Sequence, residues 1–492
     1  MKQIEMIKMK GSHKTKSFRL AGALMALIMI FAACYKDHGN YVYSVPERPV
    51  ITHMDSIYEI FVGDSLIIEP EVKLDVAESE LKFSWTIYVP PISPGDTDLH
   101  FQGKALRMAF GLGPKTFTGR YSIENTISGM KYFKDFTLIG KTAFSKGITV
   151  LSAIGDKSVL SFIKPDDAVQ PYIFQAVNPG RELPSQPTQL LAVPIAYRSP
   201  IQNYWVFGKS GLNTGIQIDA NSFKMTKTLS DNFFDAPDTL LHPQKIFYNS
   251  MGVISGVING ALYNGTTSTW NEAPTYGMFG QSAAGDYELS PEMVFDFSNA
   301  GGNYIGFDKN LRKFVRFNLY GDATYFGDNY VVKGDAFDPK NMGMDLVHLQ
   351  QINGGLCYGY FKAASDSIYE CRMKANFNGP FEITELQKRP FARQALITGK
   401  TLWQATANEI IFLSDGQKVY RYNPLNQEFT LLPVDLKGKP VTMLKLRDQD
   451  TLVVGTEGDL YFLDIRTGRN GSLLKHIGGI EGNIIDIVFR TE

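Results

Sequence analysis

The sequence predicts an all-β chain in which an immunoglobulin-like sandwich precedes a β-propeller of about seven blades. Three observations predict this fold class. Aromatic residues make up 12% of the 492 residues, and the chain contains 45 glycines. Short stretches of alternating polar and apolar residues recur along the chain, whereas long helical patterns are few. From residue 148 onward these stretches form a loose repeat, which is typical of a propeller.

The first 33 residues have the layout of a secretory signal peptide. A basic segment, Lys8 to Arg19, precedes an apolar run, Leu20 to Phe31, and neither contains an acidic residue. The apolar run is shorter than the ~20 residues that span a bilayer. Two alanines directly before Cys34 resemble a bacterial lipobox, which implies a lipid on the Cys34 thiol and cleavage before it. We therefore expect residues 1–33 to be removed and residues 34–47 to form a lipidated tether. The alternative is a plain signal peptide in which the cysteine is incidental.

Residues 48–146 predict the sandwich. Short strand-like stretches are separated by Gly, Pro and Asp turns, and six or seven of them fit into about 100 residues. The stretch Leu81 to Tyr88 alternates between apolar and polar residues, as a half-buried strand does. Trp85 lies in its middle, and we expect it to be a core residue instead of a platform for a ligand.

The repeats in residues 147–492 predict the propeller. The two clearest repeats are Glu409 to Asn423 and Asp450 to Asp464, each an apolar strand, a glycine turn and an alternating strand with a central Tyr. We interpret each as the inner hairpin of a blade. Weaker copies precede them, and seven units of about 49 residues fill the region. The final strand, Asn483 to Arg490, is expected to pair with the first blade and so remove a free edge.

Cys357 and Cys371 are the two cysteines that remain once Cys34 is lipidated. They lie in a predicted hairpin, and if Phe361 faces Ser367 the two cysteines face each other, close enough for a disulfide. Export through an oxidising compartment is compatible with that bond. The alternative is a pair of buried free thiols.

Charge and motif content exclude several classes of protein. The 49 Lys and Arg are balanced by 50 Asp and Glu, which argues against a nucleic-acid partner because such a protein needs a basic surface. The seven histidines show no close metal-ligand spacing, so we expect neither a metal nor another cofactor. No nucleophile elbow or phosphate-binding loop is present, and no catalytic residue is assigned. A pair of glycosidase carboxylates depends on a separation in space that the sequence does not give.

Three tryptophans of the propeller region, Trp205, Trp270 and Trp403, are the candidates for ligand binding. Sugars stack on exposed aromatic faces, and peptides also dock against them. The alternative is that each of these rings packs between blades. As a class, the loops at one propeller face are the better candidates, because they converge on the central axis.

Several segments resemble the PKD-like family lipoproteins of Bacteroidetes, which are found beside SusC/SusD-type outer-membrane uptake pairs. The resemblance covers residues 34–165 and rests on these segments: Cys34 to Tyr43, Val62 to Leu66, Phe83 to Trp85, Gly113 to Phe117, and Gly147 to Ser152 with Leu160 to Ile163. One departure is Ile148, where an aromatic residue is expected. Lys36-Asp37 also resembles the signal for surface export of these lipoproteins.

The resemblance implies a protein that is lipid-anchored in the outer membrane, exposed at the cell surface and engaged in the capture of glycans or peptides. Its implied partners are the membrane, through the lipid, and SusC/SusD-like proteins. The family has no motif-defined catalytic residues to transfer. Two alternatives stay open: a propeller glycoside hydrolase or lyase, and a purely structural accessory subunit.

Overall fold

A computed structural model describes residues 47–89, 97–196, 200–269, 275–295, 302–319, 323–377 and 380–491. The chain divides into two compact units, one of residues 1–50 and 72–77 and one of residues 51–71 and 78–492. In the described part of the first unit, the Asp75 backbone N–H donates to the Glu47 carboxylate at 3.3 Å. The second unit contains a sandwich and a propeller, as the sequence predicts, and is described below. None of the helices in the described segments is long and apolar enough to cross a membrane.

The described residues before the propeller contain nine strands. Their bounds are β1 (Val50–Thr52), β2 (Ile57–Phe61), β3 (Ser65–Ile68), β4 (Glu71–Lys73), β5 (Leu81–Tyr88), β6 (Leu99–Gln102), β7 (Leu106–Ala109), β8 (Thr116–Asn125) and β9 (Lys131–Lys141). One sheet has the order β2-β9-β8-β5-β6, with β2 parallel to β9, and β3 pairs with β7 in a second sheet. A 3-10 helix, Glu78–Glu80, leads into β5.

Trp85 lies at the centre of the sandwich core, as predicted. Its side chain is fully buried and stacks on Tyr121, with ring centroids 4.2 Å apart. The indole Nε1 donates to the Gly103 carbonyl at 2.9 Å, so its one polar atom is paired. The alternating pattern of β5 therefore reports burial against the second layer.

Seven blades are present in the described segments. The first consists of β37 (Asn483–Arg490), β10 (Gly147–Ile154), β11 (Lys157–Ile163) and β12 (Val169–Gln170); the second of β13 (Ser185–Pro194), β14 (Ile201–Ser210), β15 (Gly215–Asp219) and β16 (Met225–Thr228); the third of β17 (Pro243–Tyr248), β18 (Ile254–Ile258) and β19 (Ala261–Asn264); and the fourth of β20 (Leu289–Phe295), β21 (Asn303–Asp308), β22 (Lys313–Asn318) and β23 (Thr324–Gly327).

The fifth blade consists of β25 (Asp345–Asn353), β26 (Leu356–Lys362), β27 (Ile368–Asn376) and β28 (Glu382–Pro390), with β24 (Val331–Val332) parallel to β28; the sixth of β29 (Trp403–Ala405), β30 (Ile411–Ser414), β31 (Val419–Asn423) and β32 (Glu428–Leu431); and the seventh of β33 (Met443–Asp448), β34 (Thr451–Gly455), β35 (Leu460–Asp464) and β36 (Ser472–Ile477). Helix α1 (Ile173–Val177) and two 3-10 helices, Ser230–Asn232 and Gln394–Leu396, lie in the connections.

The innermost strands form a closed ring, because each of them contacts the next in the order β37, β13, β17, β20, β25, β29, β33 and back to β37. The last strand closes the ring as predicted: β37 pairs antiparallel with β10, from Gly147 opposite Arg490 to Ala153 opposite Asn483. This pairing joins the end of the chain to the first blade and leaves no open edge there.

Side-chain amides link neighbouring innermost strands. Gln189 of β13 donates to the Ile246 carbonyl of β17 at 2.6 Å and accepts the Ile246 N–H at 3.1 Å. Gln351 of β25 makes the same pair of bonds with Phe295 of β20, at 2.6 and 3.3 Å. These amide side chains supply hydrogen-bond partners for backbone groups at the inner edge of a blade, where no further strand pairs with them.

The prediction that the clearest repeats are inner hairpins is wrong by one strand. Ile411–Ser414 and Thr451–Gly455 are the second strands of their blades, and the innermost strands are Trp403–Ala405 and Met443–Asp448. Second and third strands are covered on both faces by adjacent blades, so their sequences are continuously apolar. An innermost strand has one edge at the axis and carries polar residues, which makes it harder to find in the sequence.

The cysteine pairing is also corrected. Cys357 and Cys371 are buried free thiols in this structure. Phe361 pairs with Tyr369, so Cys357 lies opposite Met373 and Cys371 lies opposite Gly359. The cysteines are therefore diagonal neighbours on one face, where Cβ atoms are roughly 7 Å apart, farther than the ~3.8 Å of a disulfide. The hairpin loop lies one residue later than predicted, and that shift moves each cross-strand partner by two residues.

Candidate functional site

The three candidate tryptophans lie in different environments. The Trp205 side chain is 1% exposed and packs between the second and third blades, where it stacks on Phe207. Neither face of this ring is open to a ligand, so the prediction that Trp205 is a ligand platform is wrong. Trp403 is half-buried on β29 and stacks on His348 and Tyr360, with ring centroids 4.8 and 4.5 Å away. Trp270 and the predicted lipidation residue Cys34 lie outside the described residues.

A groove of about 1350 Å³ lies between the sandwich and the second blade. The sandwich wall is built from two turns, Val62 to Asp64 and Gly113 to Lys115, and from the segment Lys141 to Ser145. The propeller wall comes from the connection after β13, from Ile201 at the start of β14, and from the connection after β15, which includes Asn221. Both connections lie at the face where the innermost strands end, which we name the lower face.

Short polar and aromatic contacts fix the two walls. The Thr142 hydroxyl donates to the Asn221 carbonyl at 2.8 Å, and Phe144 packs edge-on against Phe223 with ring centroids 4.6 Å apart. Within the sandwich, a Cβ on Gly140 would collide with the Gly113 carbonyl, so only glycine allows this close approach of β9 to the turn. The groove is thus bounded by segments that are packed and hydrogen-bonded.

A smaller cavity of about 390 Å³ lies at the lower end of the central axis. It is bounded by the ends of β13 and β37, by Tyr248 of β17 and by Lys445 of β33. Its volume lies within the roughly 300–1,000 Å³ of small-ligand sites. This pocket and the groove share Pro200, Ile201 and Arg490 among their lining residues, so they adjoin each other, and we refer to the two together as the cleft.

An ion pair lies beside the inner end of the pocket. The Lys445 ammonium lies 2.6 Å from Oδ1 of Asp486, and this carboxylate also accepts the backbone N–H groups of Leu190 and Ile487, at 2.9 and 2.8 Å. Asp486 therefore joins three blades and holds Lys445 in place. An ammonium has three donors, and the bond to Asp486 uses one of them.

Arg490 lies where the pocket meets the groove. Its side chain is 7% exposed, and it donates to the Ala220 carbonyl and to Oδ1 of Asn221, both neutral oxygens. These bonds tie the end of β37 to the loop after β15.

Carboxylates are few in this cleft. Among the described lining residues they are Asp64 and Asp219. Oδ1 of Asp219 accepts the N–H groups of Asn221 and Ser222 and the Ser222 hydroxyl, at 3.1, 2.8 and 2.7 Å, which stabilises the turn after β15. One of the two carboxylates is therefore committed to a turn.

Two further charged clusters lie outside the cleft. On the innermost strands, Glu292 lies 3.6 Å from His348; burial opposes ionisation, but contact with the imidazole lowers the pKa of this carboxyl below its ordinary value. In the seventh blade, burial likewise opposes ionisation of Asp459, and Lys439 and His476 lower its pKa. Across the described segments, no group of His, Cys, Asp and Glu residues is arranged to hold a metal ion.

Sequence reasoning missed the cleft because its walls come from segments that are far apart in the chain. Two of them, Val62 to Leu66 and Gly113 to Phe117, are among the segments that resemble the PKD-like family. Their glycines were the available signal: Gly63 and Gly113 have φ values of 98° and 86°, which marks tight turns at defined positions.

Several solved structures are similar to this chain at low sequence identity. A quinoprotein alcohol dehydrogenase-like protein from Bacteroides thetaiotaomicron has a TM-score of 0.37 and 12% identity, over 90% of this chain and 99% of that chain. The extracellular domain of a protein described as a one-component system from the same organism has a TM-score of 0.35 and 10% identity, over 73% and 53%. A lectin from Aleuria aurantia, solved with Fucα1-6GlcNAc, has a TM-score of 0.30 and 9% identity, over 69% and 98%.

At the level of sequence, no curated protein matches the chain. A family model does match part of it: residues 34–187 match the PKD-like family. The match begins at the cysteine of the predicted lipobox and extends through the sandwich and the first blade into β13. It confirms the predicted resemblance to PKD-like proteins for this part of the chain.

Proposed function

We propose that this protein is a cell-surface lipoprotein, tethered at Cys34, that binds a nutrient ligand, a glycan or a peptide, and serves a SusC/SusD-like outer-membrane uptake complex. The observation that carries the binding function is the cleft at the lower face, which consists of the pocket and the adjoining groove. Its pocket is large enough for one unit of a polymer, and the groove of about 1350 Å³ has room for several more.

The residues of the cleft favour a binding function over a catalytic one. Its described lining is mainly apolar, with a few charged side chains at defined positions, which is the composition of recognition sites. The pair of titratable groups in contact at the pocket, Lys445 and Asp486, is a salt bridge whose carboxylate also accepts two backbone N–H groups. The lipid anchor is supported by the sequence around Cys34 and by the start of the PKD-like match at that residue.

Docking on a partner is supported by the opposite propeller face, the upper face, where the second strands end. Leu212 is 91% exposed in the turn after β14, and Phe234 and Leu240 are about half exposed in the connection to the third blade. The Thr214 hydroxyl donates to the Leu241 carbonyl at 2.6 Å, which brings the turn and the connection together. Exposed apolar side chains grouped on one face mark contact surfaces between proteins.

The binding function is tested with a matched pair of tryptophan substitutions. Thr491 is exposed at the mouth of the pocket, and Leu212 is exposed on the upper face. Calorimetry against a panel of polysaccharides and peptides should detect a ligand for the wild type. Thr491→Trp should weaken its binding at least tenfold, because the indole fills the mouth, and Leu212→Trp should bind as the wild type does. Absence of any ligand, or equal effects of the two substitutions, would contradict the proposal.

The anchor and the complex have separate tests. Cys34→Ala should move the protein from the membrane fraction to the soluble fraction, and the intact mass of the wild type should include the lipid. A tagged wild type should co-purify with SusC/SusD-like proteins from solubilised membranes. Recovery of the tagged protein without them argues against the complex and leaves ligand binding to be judged by calorimetry.

A further inference from the structure

The chemistry of the cleft narrows the class of ligand. Resting on the binding function proposed above, we infer that the cleft takes an extended peptide, with its terminal carboxylate at Lys445 and its preceding residues in the groove. Three features of the cleft support this assignment: the scarcity of hydrogen-bonding side chains in the pocket, the open donors of Lys445, and the apolar strip along the groove.

The pocket is better suited to an apolar side chain than to a sugar. Among its described lining residues, the side chains able to form hydrogen bonds are those of Tyr248, Lys445, Arg490 and Thr491. The others are aliphatic residues, proline and one Phe. A pyranose carries several hydroxyls, and each one that is buried without a partner costs about 1–3 kcal/mol. A leucine side chain has no hydroxyl that could be left without a partner, and its burial lowers the free energy of the complex.

Lys445 supplies the specificity for a carboxylate. Its side chain is 33% exposed at the inner end of the pocket, and Asp486 occupies one of its three N–H donors. Because Asp486 is itself fixed by Leu190 and Ile487, the ammonium cannot swing away without breaking this network. A carboxylate arriving through the pocket meets a positioned donor.

The groove continues the same chemistry away from the pocket. Its walls carry the apolar side chains of Val62, Leu112, Pro114, Ile195 and Ile201, with exposed Lys115 and Lys224 at the margins. An extended peptide places alternate side chains against such a strip.

The test uses a labelled oligoalanine peptide that ends in leucine, with the carboxylate either free or amidated, and neutral and uronate-terminated oligosaccharides for comparison. Fluorescence anisotropy with the full-length protein in detergent should show binding of the free-carboxylate peptide. Amidation should weaken that binding about 10- to 100-fold, the range expected for a hydrogen bond to a charged group. Neither class of oligosaccharide should compete.

Substitutions assign the effect to the pocket. Lys445→Gln should remove the preference for the free carboxylate, and Lys445→Arg should retain part of it. Lys475→Gln is the matched control, because Lys475 lies on the outermost strand β36 and pairs with Asp167. Thermal melting checks that each variant is folded, and Thr491→Trp tests the pocket without disturbing the Lys445–Asp486 pair.

Each outcome has one meaning. The inference is overturned if the free and amidated peptides bind equally well, or if Lys445→Gln keeps the preference for the free carboxylate. In either case the proposed binding function stands. Binding of an oligosaccharide in place of the peptide also overturns the inference and supports the glycan form of the function. No binding by any probe in the panel of polysaccharides and peptides contradicts the proposed function itself.

Discussion

The buried ion pair between the fifth and sixth blades gives a quantitative test of how neighbouring blades are held together. The Glu370 carboxylate is 2% exposed and accepts Nε and a terminal nitrogen of Arg389, at 2.9 and 2.5 Å, and the Tyr360 hydroxyl at 3.2 Å. The same guanidinium donates to the Tyr422 hydroxyl and the Pro424 carbonyl of the sixth blade. One arginine therefore both neutralises a buried charge and joins two blades.

Removing the arginine should be costly. Arg389→Met leaves an uncompensated buried carboxylate, and breaking a buried pair in this way costs about 3–5 kcal/mol. Because the Arg389 side chain is 28% exposed and water can reach the vacated site, we expect the lower end, about 3 kcal/mol. Adding Glu370→Gln removes the charge but keeps an acceptor for Tyr360, so the double variant should regain about 2 kcal/mol.

The loss should also depend on pH. Burial raises the pKa of Glu370 above its ordinary value of 4.5, and Arg389 opposes that rise. Without the arginine the pKa rises further, so the folded state binds a proton that the unfolded state releases. Stability then falls as pH rises through that window. The cost of Arg389→Met should therefore be smaller near pH 5 than near pH 8.

Urea unfolding at the two pH values measures these terms, and Arg312→Met is the control. Arg312 pairs with Asp345 at 2.7 Å, but both side chains are about half exposed, so that substitution should cost less than about 1 kcal/mol. The reasoning is refuted if Arg389→Met costs no more than the control, or if Glu370→Gln adds to the loss instead of reversing part of it.

Three further predictions follow from the packing. Trp205→Ala should destabilise the propeller by about 3–5 kcal/mol without a specific effect on ligand affinity, as unfolding and calorimetry would show; a folded variant that loses binding would contradict its place in the core. Burial raises the pKa of the Cys371 thiol to about 12, so Cys371 and Cys357 should react with a thiol reagent only after denaturation, in equal number with and without reductant. Ending the chain at Gly482 removes β37 and opens the ring, so limited proteolysis should degrade the propeller; ending it at Arg490 should not.

The sequence predicted the layers of this molecule better than its registers. Trp85 was placed in the core correctly, because alternation along one strand reports burial directly. The Cys357 hairpin was misaligned, because its register depends on where the turn falls. The turn runs from Ala363 to Ser367, closed by a hydrogen bond of 2.9 Å, and Asp366 adopts φ of 63° within it. Several polar residues of that stretch are compatible with a turn, and pattern alone does not choose among them.

The burial pattern that makes the blades easy to predict from the sequence also makes the candidate site hard to predict. Second and third strands are covered on both faces, so they must be apolar, and their repeats appear clearly in the sequence. An innermost strand has one edge at the axis and admits residues such as Lys445 and Asp486, which break the repeat. Those same residues are the ones able to contact a ligand that enters from the lower face. In this chain, the weakest repeats are therefore where functional side chains should be sought, and their chemistry, more than their periodicity, indicates what they bind.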